Sequence, residues 1–218
     1  MKGLLLKDWK LLKNQRNLFV AVGAFAVFFC MMDQNLGFVV GYVTFVCAMT
    51  VLSTVTYDEF NNGNVFLFTL PFTRRQYVTE KYVFGLGIGT AVWLSISLAT
   101  TAVGLARAQQ LAMGEWVLTC LAFWVLMSLV LAISLPLQLK FGAEKGRLVL
   151  LVAYGFLIGA GVAVYYVGQM LGVQASQVTR WMESFGIGGM AAATILLVIA
   201  ALALSYTISR KIVENKAF

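Results

Sequence analysis

Six long apolar runs dominate this sequence: Leu18 to Met32, Leu36 to Thr56, Tyr82 to Ala106, Trp116 to Leu139, Leu148 to Leu171 and Phe185 to Ser209, none containing a Lys, Arg, Asp or Glu. A helix needs about 20 apolar residues to cross a hydrocarbon core of about 30 Å. Five runs reach that length. The first is short by several residues and borrows length from Arg16 and Asn17, with the Arg16 guanidinium snorkelling to the interface. In lipid the backbone must satisfy its own hydrogen bonds, and runs of this length do so as helices. The expected fold is an all-α integral membrane protein with six transmembrane helices. With 61% hydrophobic and 11% charged residues and a mean hydropathy of +0.86, the chain lies outside the range of soluble globular proteins. No internal repeat or low-complexity linker divides it, so residues 1–218 read as one permeation-scale domain.

The net charge of +7 comes from sixteen Lys and Arg against nine Asp and Glu. Such a balance raises nucleic acid as a partner, but the basic residues cluster at the ends of apolar runs, which is the pattern of the positive-inside rule. Five lie in the N-terminal segment, and three each in residues 57–81, in Lys140 to Arg147 and in the tail from Arg210; the other side has only Arg107 and Arg180. Both termini are therefore expected in the cytoplasm, and no nucleic-acid partner is expected. The outer connections, Asp33 to Asn35, Arg107 to Glu115 and Gly172 to Ser184, are too short for a receptor domain; the last has room for a short interfacial helix anchored by Trp181.

Residues 1–17 read as an amphipathic interfacial helix. Lys7, Lys10 and Asn14 share one face, and Leu5, Trp9 and Leu12 the opposite one, while Asp8 falls on the apolar side and breaks the pattern. A signal peptide is the competing reading, and it lacks a small-residue cleavage site.

The largest interruption of the apolar pattern is Tyr57 to Tyr82. Asp58 and Glu59 close the second run, Asn61 to Asn64 form a turn cluster, and Asn64 caps a short helix over Val65 to Leu70 that ends before Pro71. Thr73 and Gln76 have capping-box spacing, with Thr73 as N-cap of the helix that carries Arg74, Arg75 and Lys81 into the third run. Val65, Phe66, Phe68 and Leu70 give the short helix an apolar face suited either to a partner groove or to the lipid interface.

Reactive chemistry is sparse. There is no histidine, no P-loop, no zinc motif, no nucleophile elbow and no ionisable relay at membrane depth. Cys30, Cys47 and Cys120 are single and read as small apolar side chains. Small-residue pairs at Gly37/Gly41, Gly85/Gly89, Gly155/Gly159 and Gly168/Gly172 permit close helix contact within or between subunits. Trp93, Trp116, Tyr165, Tyr166, Trp181 and Tyr206 read as interfacial belts.

Three segments, KGLLLKDWKLLKNQ, YDEF with TLPFTRRQYVTEKY, and LPLQLKFGAEKGR, together resemble the permease subunits of type-2 ATP-binding-cassette exporters. The nearest resemblance is to the bacterial group that exports phenol-soluble modulins, which are amphipathic peptide toxins. The resemblance implies a six-helix half-transporter in the bacterial cell membrane that pairs with a second permease, either itself or a close paralogue. It also implies a separate cytoplasmic ATPase carrying ATP and magnesium, with no cofactor in this chain. The ATPase-coupling residues it implies are Asp58, Glu59, Phe60, Val65, Phe66, Phe68, Leu70, Pro71 and Arg74. Lys140, Glu144, Lys145 and Arg147 form either a second ATPase contact or a tight charged turn, in which Gly146 stands where a helix former is expected. The implied cargo is hydrophobic or amphipathic, in the first place peptides, moved through surrounding membrane lipid. The alternative is a non-transporting membrane scaffold or sensory subunit.

Overall fold

The computed structural model describes residues 2–32, 36–60, 67, 69, 71–107, 112–170 and 186–216, with only part of the side chains between 143 and 168 and none at 186–187. Within these residues the secondary structure is helical: α1 (Lys2–Asn14), α2 (Arg16–Met31), α3 (Leu36–Glu59), α4 (Arg74–Ala106), α5 (Met113–Met170) and α6 (Gly186–Asn215). Leu36–Glu59, Arg74–Ala106, Met113–Gly142 and Gly188–Asn215 are each long and apolar enough to cross a membrane. The pair α1 and α2, bent by 60°, meets the same test when taken together. The run at Leu148 to Leu171 falls largely in the second arm of α5, and the outer connections, including the one with Trp181, lie outside the described residues apart from Arg107 and residues 112–115.

The bend between α1 and α2 follows the sequence. Asn14 to Asn17 are polar, so the chain leaves the interface at this point, and Gln15 Nε2 holds the corner by donating to Ser53 Oγ at 3.0 Å. Within the bundle the buried stripe of α1 is Leu4, Asp8 and Leu12, one i, i+4 ridge packed on other helices, while Trp9 is 57% exposed.

Helix α3 is the most enclosed element, with Ala48, Leu52 and Val55 in a core shared by Tyr77, Val78 and Tyr82 of α4, Met127 and Leu131 of α5, and Val213 of α6. Small residues set these approaches. A Cβ on Gly41 would lie 2.4 Å from the Phe123 ring, and one on Gly85 3.1 Å from Val51. Gly155 and Gly159, by contrast, face open space. Trp93 and Trp116 each donate the indole N–H to a neighbouring helix, to the Cys120 carbonyl at 2.7 Å and to Thr101 Oγ1 at 2.8 Å.

The eight-residue turn expected over Lys140 to Arg147 is instead a break at one residue. Helix continues on both sides of Gly142, whose φ of 77° only glycine adopts readily. The arms then double back. Tyr154 Oη lies 2.6 Å from Ser134 Oγ, although 20 residues of straight helix would separate these positions by about 30 Å. The break therefore belongs to Gly142, and Gly146 lies buried inside the second arm, against Gln138.

Candidate functional site

The ends of α3 and α6, the start of α4, the break in α5 and the middle of α1 meet at one side of the bundle. Helix α4 begins as its capping box requires: Thr73 Oγ1 accepts from the Gln76 N–H at 3.2 Å and the Thr73 N–H donates to Gln76 Oε1 at 3.1 Å. That start points Arg74 across to α6. Its guanidinium donates to the carbonyls of Val213, Glu214 and Lys216 at 3.1, 2.9 and 2.8 Å. The last carbonyls of a helix lack intrahelical donors and carry partial negative charge, so a cation there both satisfies and neutralises them.

Beneath Arg74, about two turns further along α4, lies a cluster of charges that the sequence did not reveal. Lys81 is wholly buried, with its ammonium 2.5 Å from Asp8 Oδ2 and 2.7 Å from Asp58 Oδ2. It also donates to Thr54 Oγ1 at 3.2 Å. Lys7 reaches the same two acids, pairing with Asp58 Oδ1 and lying 3.1 Å from Asp8 Oδ1. The Tyr77 hydroxyl donates to Asp58 Oδ2 at 3.1 Å. Glu80, also wholly buried, stands 3.8 Å from the Lys81 ammonium, and neither of its oxygens accepts a hydrogen bond from a described residue. Two ammonium groups, Lys7 and Lys81, and two carboxylates, Asp8 and Asp58, thus tie α1, α3 and α4 at one point, with Glu80 beside them. A buried charge is tolerated only when paired and hydrogen-bonded, so this cluster fixes the spacing of the three helices.

Asp58 therefore sits inside the bundle, although the sequence places it in a docking loop. Its neighbour Glu59 turns to the other side, pairing with Lys216 at 3.1 Å; Lys216 also donates to the Leu139 carbonyl at 3.1 Å. Glu59 bears on Gly142 as well, since a Cβ there would stand 3.0 Å from Glu59 Oε2. Phe60 is 69% exposed and Pro71 is exposed. Val65, Phe66, Phe68 and Leu70 lie outside the described residues, but Leu67 between them is buried in the core with Leu52, Tyr77, Leu139 and Val213. Lys140 is exposed and lies over the Phe141 ring at 5.2 Å, and Lys145 is exposed. Glu144 and Arg147 are in the helix, with side chains outside those described.

The structure thus separates the sequence-derived residues into two groups. Asp58, Glu59 and Arg74 join helices within the chain, whereas Phe60, Pro71, Lys140 and Lys145 face outward. Sequence reasoning missed Lys7, Asp8, Tyr77, Glu80 and Lys81 as a group. The signal was Asp8, an acid on the apolar stripe of α1, which is anomalous until a buried cation is found for it. Among the described residues no group of His, Cys, Asp or Glu could hold a metal ion, and the cysteines are unpaired. Nothing in this arrangement supplies a nucleophile or an acid–base pair open to a substrate; it can join helices and present a surface to a partner.

No curated protein and no solved structure matches the chain. A family model does match, over residues 3–214, which is nearly the whole chain and includes α1, the cluster and the α6 terminus; the protein is a multi-pass membrane permease belonging to the ABC-2 family transporter proteins.

Proposed function

We propose that this permease is the six-helix transmembrane subunit of an ATP-driven exporter that moves hydrophobic or amphipathic cargo, peptides in the first place, out of the bacterial cytoplasm. It works with a separate cytoplasmic ATPase that holds ATP and magnesium, and with a second permease, itself or a close paralogue. Its termini are cytoplasmic, which puts the charged end of the bundle on the ATPase side.

The observation that carries this reading is the buried cluster around Lys81. A partner that moves the segment between Asp58 and Arg74 acts on a point where α1, α3 and α4 are joined by ion pairs, and through Arg74 on the end of α6. Displacement at the surface is then shared by four helices. The direct ATPase contacts in this reading are Phe60, the Val65 to Leu70 segment and Pro71, with Lys140, Glu144, Lys145 and Arg147 as a second contact. Asp58, Glu59 and Arg74 act as positioning residues. The open faces of Gly155 and Gly159, beside the exposed Leu151, Val152 and Phe156, suit close approach of a second permease.

Co-purification with the ATPase encoded beside this chain tests the reading. Phe66→Ala with Phe68→Ala should remove aromatic burial of roughly 3 kcal/mol or more, more than a hundredfold in affinity at about 1.4 kcal/mol per decade. ATPase association and cargo-stimulated hydrolysis should collapse while membrane insertion stays near normal. Wild-type ATPase affinity and export in the double variant would make the two phenylalanines lipid anchors and move coupling to residues 140–147 or α1.

A further inference from the structure

We propose that the cleft between the α1–α2 corner and α4 holds one acyl chain of an anionic phospholipid, with the phosphate at Lys13 and Arg16. The cleft has a volume of about 900 Å³, near the upper end of the roughly 300–1,000 Å³ usual for ligand pockets. Its walls are almost entirely apolar, with Phe19 of α2, Val43 of α3 and Ile88 and Ile96 of α4 among them. Ile88 to Ile96 span about 12 Å of helix, so the cleft runs along the axis of α4 in the direction that lipid chains take in a bilayer.

Two cations stand at the corner end of this apolar wall. Lys13 and Arg16 both line the cleft and are exposed, and neither enters an ion pair among the described residues. They differ in this from Lys7 and Lys81, whose charges are neutralised by Asp8 and Asp58. Helix α1 lies where the chain passes from polar to apolar sequence, the depth at which lipid phosphates are found. Basic residues at the mouth of a pocket between membrane helices recognise acidic headgroups. A zwitterionic lipid brings its own ammonium beside the phosphate and so gains less from the two cations than an anionic one, and a cationic amphipathic peptide is repelled by them. An anionic phospholipid matches both the apolar length and the positive end. Lipid at this cleft requires only membrane location, so neither ATPase nor export enters the test.

The test uses the purified full chain, stripped of lipid in mild detergent and titrated with phosphatidylglycerol or phosphatidylcholine, with bound lipid counted by native mass spectrometry. At about 1 kcal/mol per basic residue near a lipid surface, the wild-type chain should prefer phosphatidylglycerol by at least about tenfold. Lys13→Gln with Arg16→Gln should abolish that preference, weakening phosphatidylglycerol binding far more than phosphatidylcholine binding. Both side chains are exposed and form no ion pair among the described residues, so the variant should fold normally. Ala91→Trp, a substitution at an exposed residue lining the cleft, should reduce binding of both lipids. Equal binding of the two lipids by the wild type, or a preference that survives the double variant, would overturn the proposal. So would displacement of phosphatidylglycerol by an added cationic amphipathic peptide, which would assign the cleft to cargo.

Discussion

Lys81 and Tyr82 are adjacent on α4, yet they fasten it to opposite sides of the bundle by different chemistry. Lys81 faces α1 and α3 through ion pairs with Asp8 and Asp58. Tyr82 faces α6, where its hydroxyl lies 2.5 Å from Ser205 Oγ and 2.8 Å from Ser209 Oγ, and Thr79 one turn earlier meets the Tyr206 hydroxyl at 2.9 Å. A helix turns about 100° per residue, so consecutive positions serve different neighbours. The ionic side is brittle, because removing one partner strands a charge without water. The hydroxyl side is forgiving, since a lost neutral hydrogen bond leaves no net charge and serine can bond back to its own helix. Regions of a membrane protein that must move together suit the first chemistry, and regions that slide suit the second.

That contrast breaks most sharply at Lys81. Lys81→Met leaves three carboxylates facing Lys7 alone and should lower stability by about 3–5 kcal/mol, read as loss of the folded fraction in thermal unfolding followed by size exclusion. A loss no larger than that of Tyr82→Phe would mean that the cluster does not hold α4.

Next comes Asp58→Asn, which keeps the shape but withdraws the charge shared by Lys7, Lys81 and Tyr77. It should cost about 1.5–3 kcal/mol, the range for hydrogen bonds to charged groups. Combined with Lys7→Met its effect should be less than the sum of the two single changes, as expected of contacting residues. Strict additivity would place Lys7 outside the cluster energetically.

On the hydroxyl side Tyr82→Phe should cost only about 1 kcal/mol, as interhelical hydrogen bonds in membranes do. Unfolding in the same detergent measures it, and a loss comparable to Lys81→Met would erase the distinction between the two seams.

The smallest effect is expected at Glu80. Its oxygens accept no hydrogen bond from a described residue and it is the third carboxylate beside two cations, so Glu80→Gln should change stability by less than about 1 kcal/mol in either direction. A large loss would show that Glu80, as well as Asp8 and Asp58, balances Lys81.

Much of the fold was legible in the residues. The apolar runs require helices because lipid offers the backbone no other donors, and the charge at their ends marks one side of the bundle. Thr73 and Gln76 announced the start of α4 because a capping box acts over three residues. The break in α5 was legible only as a segment. The segment holds two glycines, Gly142 and Gly146, and the break falls at Gly142, where φ is positive and a Cβ would stand 3.0 Å from the Glu59 carboxylate.

Sequence by itself determined, then, what acts locally: helix formation in the apolar runs, the cap at Thr73 and the grouping of charge at the ends of the runs. Only the tertiary structure decided what each charge does. Lys81 and Asp8 are 73 positions apart, and no periodicity links residues whose meeting depends on how α1 lies against α4. The same basic residue type becomes a buried tie at Lys81, a helix cap at Arg74 and an exposed cation at Lys13. The physical reason is that electrostatic energy depends on distance and on exclusion of water, and both are set only when the helices pack.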